Sequence, residues 1–355
     1  MILYAATVQA PTAIDLFAGA GGATEGLRQA GFDVVAAIEN DPDAAATYRL
    51  NHPNVRLSTQ DIRVVEPSDL GDDSSLRSPT LGLLKACPPC QGFSSLARGD
   101  VDEVRNDLVL DVQRFVNHFS PKVVLLENVP GLNRDARKVR LLEHLENAGY
   151  ESRTYVVDAK DFGVPQRRKR LIILATRSDI QRAPEDIFGI EGVRGCRATV
   201  GDAFDRLAVN IQANDPLNVS RKSRPVTSAR IRQVPTNGTR FDLPETHQLD
   251  CHRRLAVDGK IRRVATSSYG RMIRDEPAPT MTTRCTTPAC GRFIHPSEHR
   301  GITLREAASI QTFPYSYGFV GGYDSIERQI GNAVPVRMAH ALGLVVRSLI
   351  TTESD

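Results

Sequence analysis

The sequence predicts an α/β protein: a doubly wound, mostly parallel sheet joined to a smaller irregular domain. Three observations predict it. Short, continuously apolar segments alternate with helical stretches through the N-terminal half, the pattern of strands buried on both faces. A glycine-rich turn follows the first of them. From about Ser178 the alternation dissolves into short segments rich in Arg, Pro, Asn and Thr, and order returns only at Thr303.

Taken in order, Thr12 to Phe17 is a short apolar strand ending in glycines, and Ala23 to Ala30 has helical character until Gly31 stops it. Phe32 to Ile38 is the second strand, and Asp41-Pro42 marks a turn and helix start. Val55 to Leu57, Leu81 to Ala86, Val123 to Leu126, Ser152 to Val157 and Leu171 to Ala175 follow as further strands. No long periodic helix is visible between Ser178 and Thr303. Leu304 to Gln311 reads as a helix, and Pro335 to Leu349 as a final helix with proline in its first turn. The expected division is one discontinuous domain, 12–185 with 303–350, and a second domain, 186–302.

The chain has 355 residues, enough for a large domain and a companion. It contains no apolar run of about 18 residues, and its start, MILYAATVQAPT, lacks the basic, apolar and small-residue regions of a secretory signal. Six scattered cysteines are too few for a disulfide scaffold. A cytoplasmic protein is expected, with no membrane partner. The net charge is only +3, yet Asn214 to Ala265 holds eleven Lys or Arg against five acids, a local +6 that leaves −3 for the rest. Such a concentration suits either a phosphate-contacting face or a solvated mixed surface.

Four motifs carry chemistry. Asp15-Leu16-Phe17-Ala18-Gly19-Ala20-Gly21-Gly22 lies where strand one turns into a helix, where glycines allow close ligand approach and a helix N-terminus offers free N–H groups. Glu39 ends the second strand, where an acid accepts from ribose hydroxyls, and Asp61 ends the third; each alone reads equally as a cap or surface charge. Ala86-Cys87-Pro88-Pro89-Cys90-Gln91-Gly92-Phe93-Ser94 follows the apolar strand 81–86 and would hold a cysteine rigidly and accessibly, as a nucleophile requires. Cys87 and Cys90 also form a C-x-x-C, open to a redox pair or to a zinc site with Cys285 and Cys290. The prolines and Gly92 disfavour the first, and the sequence distance and looser C-x4-C spacing the second. Glu127 ends the buried run Val123 to Leu126, where a carboxyl can hold a raised pKa, although a lone acid there is commonly a turn residue. Gln166-Arg167-Arg168-Lys169-Arg170 points alternate bases one way on entering a strand, for phosphate, for bracing a carboxylate, or as a surface patch.

In this order the motifs resemble the cytosine-C5 DNA methyltransferase family, from Asp15 to about Ser348. DLFAGAGG is similar to its cofactor loop, PPCQGFS to its nucleophile loop, ENV to its catalytic-acid strand, and Gln166, Arg168 and Arg170 to its Q-x-R-x-R motif. RDEPAPTMTT (274–283) resembles its P-x-P-T-x-T-T segment, TLREAASIQTF (303–313) the helix that follows, and QIGNAVP (329–335) its C-terminal motif. Two departures stand out: Cys87 replaces a small residue, often glycine, and Asn40 an aromatic. Gly-Phe-Ser after Gln91 is similar to the DNA-modifying branch.

The resemblance implies a Rossmann-like S-adenosylmethionine-dependent sheet with a target-recognition domain, and a DNA (cytosine-5-)-methyltransferase. It implies a catalytic set of Cys90, Glu127 and Arg168, with S-adenosyl-L-methionine held by Asp15, Phe17, Gly19, Gly21, Glu39, Asn40, Asp61, Ile62, Pro89, Leu108 and Asn332. Cys90 would attack C6 of a flipped cytosine while Glu127 bonds N3 and the exocyclic amine. The partner is double-stranded DNA, with a cognate restriction endonuclease acting separately or none; a monomer suffices. The rivals are a tRNA methyltransferase of the same fold and a catalytically silent DNA-binding scaffold. A nucleotide-dependent oxidoreductase is disfavoured because the loop is not G-x-G-x-x-G.

Overall fold

A computed structural model of the chain describes residues 10–71, 81–89, 103–249 and 268–350. These form two compact units: one of residues 1–158, 169–195 and 334–355, the other of 159–168 and 196–333. The sequence instead expects borders at 185/186 and 302/303.

The first unit is built on seven strands: β1 (Thr12–Leu16), β2 (Asp33–Ile38), β3 (Arg56–Ser58), β4 (Leu81–Ala86), β5 (Val123–Asn128), β6 (Tyr150–Asp158) and β7 (Lys169–Arg177). Their order is β3-β2-β1-β4-β5-β7-β6. The pairs among β1 to β5 are parallel, whereas β7 runs antiparallel to both β5 and β6. The expected strands are thus present, and the doubly wound reading holds with one reversed strand. Every residue of β1, β4 and β5 is buried, which is why they read as continuous apolar runs.

Helices α1 (Gly22–Gln29), α2 (Pro42–Asn51), α3 (Glu103–Phe119), α4 (Ala136–Asn147) and a C-terminal helix, Val336–Ile350, cover this sheet. Asp41 caps α2, accepting from the N–H groups of Asp43 and Ala44, with Pro42 at the first position. The C-terminal helix crosses α1 so closely that a Cβ on Gly26 would lie 2.4 Å from the Val336 carbonyl. The main core joins Ile14, Leu84, Phe115, Phe119, Leu126 and Ile173, with Phe17 and Leu108 half-buried at its margin.

The second unit contains α5 (Val200–Asn210), α6 (Pro225–Gln233), α7 (Leu304–Ile310) and α8 (Tyr323–Asn332), which makes the Val336–Ile350 helix α9. The sequence pattern shows neither α5 nor α6. A start signal for α5 is nevertheless present, because Thr199 and Asp202 form a reciprocal capping box. A small core of Ile231, Val234, Leu243, Tyr269 and Ile294 lies in this unit. Arg271, 2% exposed, substitutes for sheet ladders by donating to the carbonyls of Val234, His295 and Glu298.

Candidate active site

The functional side chains of the first unit lie at the carboxyl ends of the parallel strands, where open α/β sheets bind ligands. The chain leaves β1 through Phe17 (φ 58°), Gly19 (φ 58°) and Gly21 (φ 89°), three left-handed residues that bring it round to start α1. Phe17 adopts this conformation without glycine's freedom, which marks a strained position. Glu39, at the end of β2, clasps the turn: one oxygen accepts from Gly19 N at 2.8 Å and the other from Asp41 N at 2.7 Å. Burial pushes the Glu39 carboxyl above its usual range, and the two N–H groups offset this only in part.

Asp15 itself is fully buried beneath the turn, and its carboxylate is committed inward. Lys85 Nζ on the neighbouring β4 lies 2.8 Å from Oδ1, and Thr24 Oγ1 on α1 donates to Oδ2 at 2.8 Å. Lys85 is 3% exposed. Burial alone would pull its ammonium down, but attraction from Asp15, Cys87 and Glu127 outweighs it and leaves the pKa above the usual lysine value.

Asp61 follows β3. Its oxygens are held by Arg63, with Nε donating to Oδ1 at 2.9 Å and a terminal N–H to Oδ2 at 2.6 Å. These bonds hold the carboxyl at about 2. Asn40 is exposed, whereas Ile62 is 3% exposed and belongs to the core. Pro89 is half-buried.

The other half of the candidate site grows from β4 and β5. Cys87 N donates to the Leu16 carbonyl at 3.2 Å, and Asn128 Nδ2 to the Pro88 carbonyl at 3.3 Å. Both ends of β4's exit are therefore tied down immediately before Cys90, which itself lies outside the described residues. Glu127 is 4% exposed. Cys87 Sγ donates to its Oε2 at 2.8 Å, and Arg170 Nε lies 2.6 Å from Oε1. Reversal of β7 explains the second contact, because it brings the start of that strand beside the end of β5. Lys85 and Glu127 face one small internal void of about 10 Å³, walled by Leu27, Leu125 and Leu342.

In the second unit the remaining motifs converge. Gln166, fully buried, donates to Gln311 Oε1 at 2.7 Å and accepts from Met281 N at 2.8 Å. Arg168 donates to the carbonyls of Met281 (3.0 Å) and Gly331 (3.1 Å). Gly331 has no space for a side chain: a Cβ would sit 2.1 Å from the Thr282 carbonyl. Asn332, exposed, is the last residue of α8.

Sequence reasoning did not single out Lys85 or Arg63, and it weighed Cys87 as half of a C-x-x-C and not as a donor to Glu127. Lys85 carried a signal, since a lysine inside an otherwise apolar buried strand requires a partner. The alternation in QRRKR offered two arginines, and the one beside Glu127 is Arg170.

Comparison with known proteins gives one answer. A family model described as C-5 cytosine-specific DNA methylase matches residues 12–347. The chain is 33% identical over 344 residues to the type II methylase M.HgiDII of Herpetosiphon aurantiacus, covering 95% of this chain and 94% of that one. It is 32% identical over 363 residues to the type II methyltransferase M.DdeI of Desulfomicrobium norvegicum, covering 93% and 86%. Among solved structures, an Escherichia coli prophage DNA modification methyltransferase superimposes with a TM-score of 0.68 at 24% identity, covering 96% and 99%, a likeness of fold. The strand order, the glycine turn clasped by Glu39 and the match across nearly the whole chain converge: the protein belongs to the family of C-5 cytosine-specific DNA methylases, which use S-adenosylmethionine as methyl donor.

Proposed function

We propose that the chain methylates carbon 5 of a flipped-out cytosine within a specific duplex DNA site through a covalent bond between Cys90 and C6. The observation that carries this is the arrangement at the ends of β4 and β5. Asn128 anchors the Cys90 loop, and the adjacent Glu127 presents a carboxylate fixed from two sides.

Thiolate addition at C6 turns C5 into an enamine-like carbon that accepts the methyl group; loss of the C5 proton then expels the thiolate. Glu127 shares a proton with N3 and accepts from the exocyclic amine of the base, stabilising the negative charge that thiolate addition places on the ring. Arg170 sets the orientation of that carboxylate. The bond from Cys87 yields when the base arrives, because Glu127 Oε2 is the oxygen it occupies.

The turn 17–21 and Glu39 suit S-adenosylmethionine: the turn allows close backbone approach, and an acid at the second strand end accepts from ribose hydroxyls. The sulfonium supplies an electrophilic methyl group. Phe17, Leu108 and Pro89 present partly exposed apolar surface for the adenosine, and Asp61 supplies an acceptor. The motif resemblance adds Asn332 for the cofactor and Arg168 for the base. Residues 12–185 with 303–350 form the catalytic domain, and 186–302, which supply most of the second unit, the target-recognition domain.

The relatives' names as type II methylases support a protective or solitary methylase, with any cognate endonuclease a separate protein; on this reading it works in the cytoplasm, and a monomer suffices. Among the described residues Tyr323–Ile350 has the length and apolarity of a membrane span, but 67% of its most apolar window is buried and it breaks at 333–335, which supports a soluble protein.

The test is transfer of labelled methyl from S-adenosylmethionine to mixed-sequence duplex DNA, wild type beside Cys90→Ala, followed by bisulfite sequencing. Label on cytosine C5 that disappears in the variant is expected. Undiminished transfer by Cys90→Ala, or transfer to RNA alone, would overturn the assignment.

A further inference from the structure

From Pro216 to Phe241 the chain contains no acidic residue and six basic ones, Arg221, Lys222, Arg224, Arg230, Arg232 and Arg240. The structure divides these six into two groups. Arg221 is bound to Glu327, 3.1 Å away, and to Asp324, and its guanidinium lies over the Tyr323 ring. Arg230, 6% exposed, donates to the His247 carbonyl at 2.7 Å and to the Tyr269 hydroxyl at 3.2 Å. Arg240 is 2% exposed and lies over Phe241. These three hold the second unit together.

Lys222, Arg224 and Arg232 are all exposed, and among the described residues none has a carboxylate partner. They frame one helix. α6 buries Arg230 and Ile231, while Pro225, Val226, Arg232 and Gln233 are exposed and, at 100° per residue, share its opposite face. Val226 is 63% exposed on that face. Its N-cap is Arg224, whose side chain makes no capping bond, and its first turn holds no acid. A cation at a helix N-terminus opposes the helix dipole, and a residue without a capping acceptor leaves the first N–H groups to solvent. Arg224 is therefore placed against the needs of its own helix, which calls for a partner outside the chain. An acid-free helix face flanked by three unpaired cations fits a polyanion.

We infer that the outward face of α6 is the surface laid against the DNA backbone, with Lys222, Arg224 and Arg232 on phosphates. The inference rests on the reading of the second unit as the target-recognition domain. It excludes Arg221, Arg230 and Arg240 from phosphate contact, although the sequence counts all six alike.

The experiment measures the dissociation constant of the full-length protein for duplex DNA carrying its methylation site, by fluorescence anisotropy across a salt series. Removing one cation from a phosphate reduces the slope of log affinity against log salt by about 0.9. Lys222→Ala, Arg224→Ala and Arg232→Ala are each expected to lower the slope by about that amount and to weaken site and non-site DNA equally, with S-adenosylhomocysteine affinity unchanged. Arg232→Lys, which keeps the charge, is expected to retain the slope. A triple variant that binds cofactor normally but shows the wild-type slope overturns the inference while leaving the DNA methylase reading intact; wild type that transfers no methyl to any DNA would instead fail that reading itself.

Discussion

Replacing Lys85 by methionine isolates one buried charge. The lysine Nζ lies 2.8 Å from Asp15 Oδ1, with side chains 4% and 0% exposed. Methionine matches the length of the lysine stem and preserves its packing beside Leu27, Leu125 and Leu342, so the change removes charge and little volume. It leaves the Asp15 carboxylate buried with Thr24 as its remaining hydrogen-bond donor in the structure. Breaking one side of a buried pair costs about 3–5 kcal/mol, a large share of the roughly 5–15 kcal/mol by which proteins are stable. Asp15→Asn with Lys85→Met removes both charges, and the double variant is expected to recover most of the loss. Urea unfolding of the four proteins measures the coupling. pH adds a second signature. The pKa of Lys85 is raised in the fold, so the pair's stabilisation is fully present below the ordinary lysine range and is lost as pH rises through the higher folded value. The wild type should therefore show an alkaline loss that the double variant lacks. Additive single effects, or Lys85→Met unfolding at the wild-type urea concentration, would refute the reasoning.

Glu39 should give cofactor binding an acid limb. Its pKa is raised by burial, so its contribution to stability is present below the ordinary glutamate range and lost as pH rises through the higher folded value; ribose hydroxyls, by contrast, require the carboxylate as acceptor, so affinity is lost as pH falls. Calorimetric titration with S-adenosylhomocysteine should place the limb above an ordinary glutamate, and Glu39→Ala should abolish it with a roughly 10- to 150-fold loss of affinity; a limb that persists in the variant belongs to another group. Arg170→Ala should lower kcat by roughly 100-fold, since it frees a buried carboxylate that must be oriented in the transition state. Arg170→Lys should recover little, because the Nε contact at 2.6 Å is a property of the guanidinium. Single-turnover methyl transfer checks both, and near-normal rates in Arg170→Ala would assign the orienting role elsewhere.

The first unit was legible because its central strands β1, β4 and β5 are buried throughout and its acids lie at or next to strand ends, at Asp15, Glu39 and Glu127. Periodicity marks such ends to within a residue or two. The second unit was not, for a physical reason visible in Arg271 and Gln166: its chain is held by side-chain hydrogen bonds between residues far apart in sequence, which leave no local period. α6 illustrates the limit. It is nine residues long, has an arginine as N-cap and buries another, and its one ordinary start signal is Pro225 at the first position. Charge counting located the basic segment, but which cations are free is decided by tertiary partners such as Glu327 and Tyr269.

Buried polar groups in the first unit also give a structural role to Lys85 and to Cys87, the residue that departs from the family's usual small one. Lys85 and Cys87 are alternate residues at the end of β4 and its exit, the former on Asp15 beneath the cofactor turn and the latter on Glu127. A glycine at 87 would leave Glu127 Oε2 without this donor, and an apolar residue at 85 would leave Asp15 without a cation. Each of the two acids thus has its own cation, Lys85 for Asp15 and Arg170 for Glu127, within one layer of the sheet. Because all four side chains are nearly buried, a shift at either acid cannot be relaxed by water and must be met by its partners. The turn 17–21, where we place the cofactor, and the Glu127 carboxyl, which we assign to the base, are therefore braced by the same short piece of β4, a rigid element of the kind that keeps reacting groups in place.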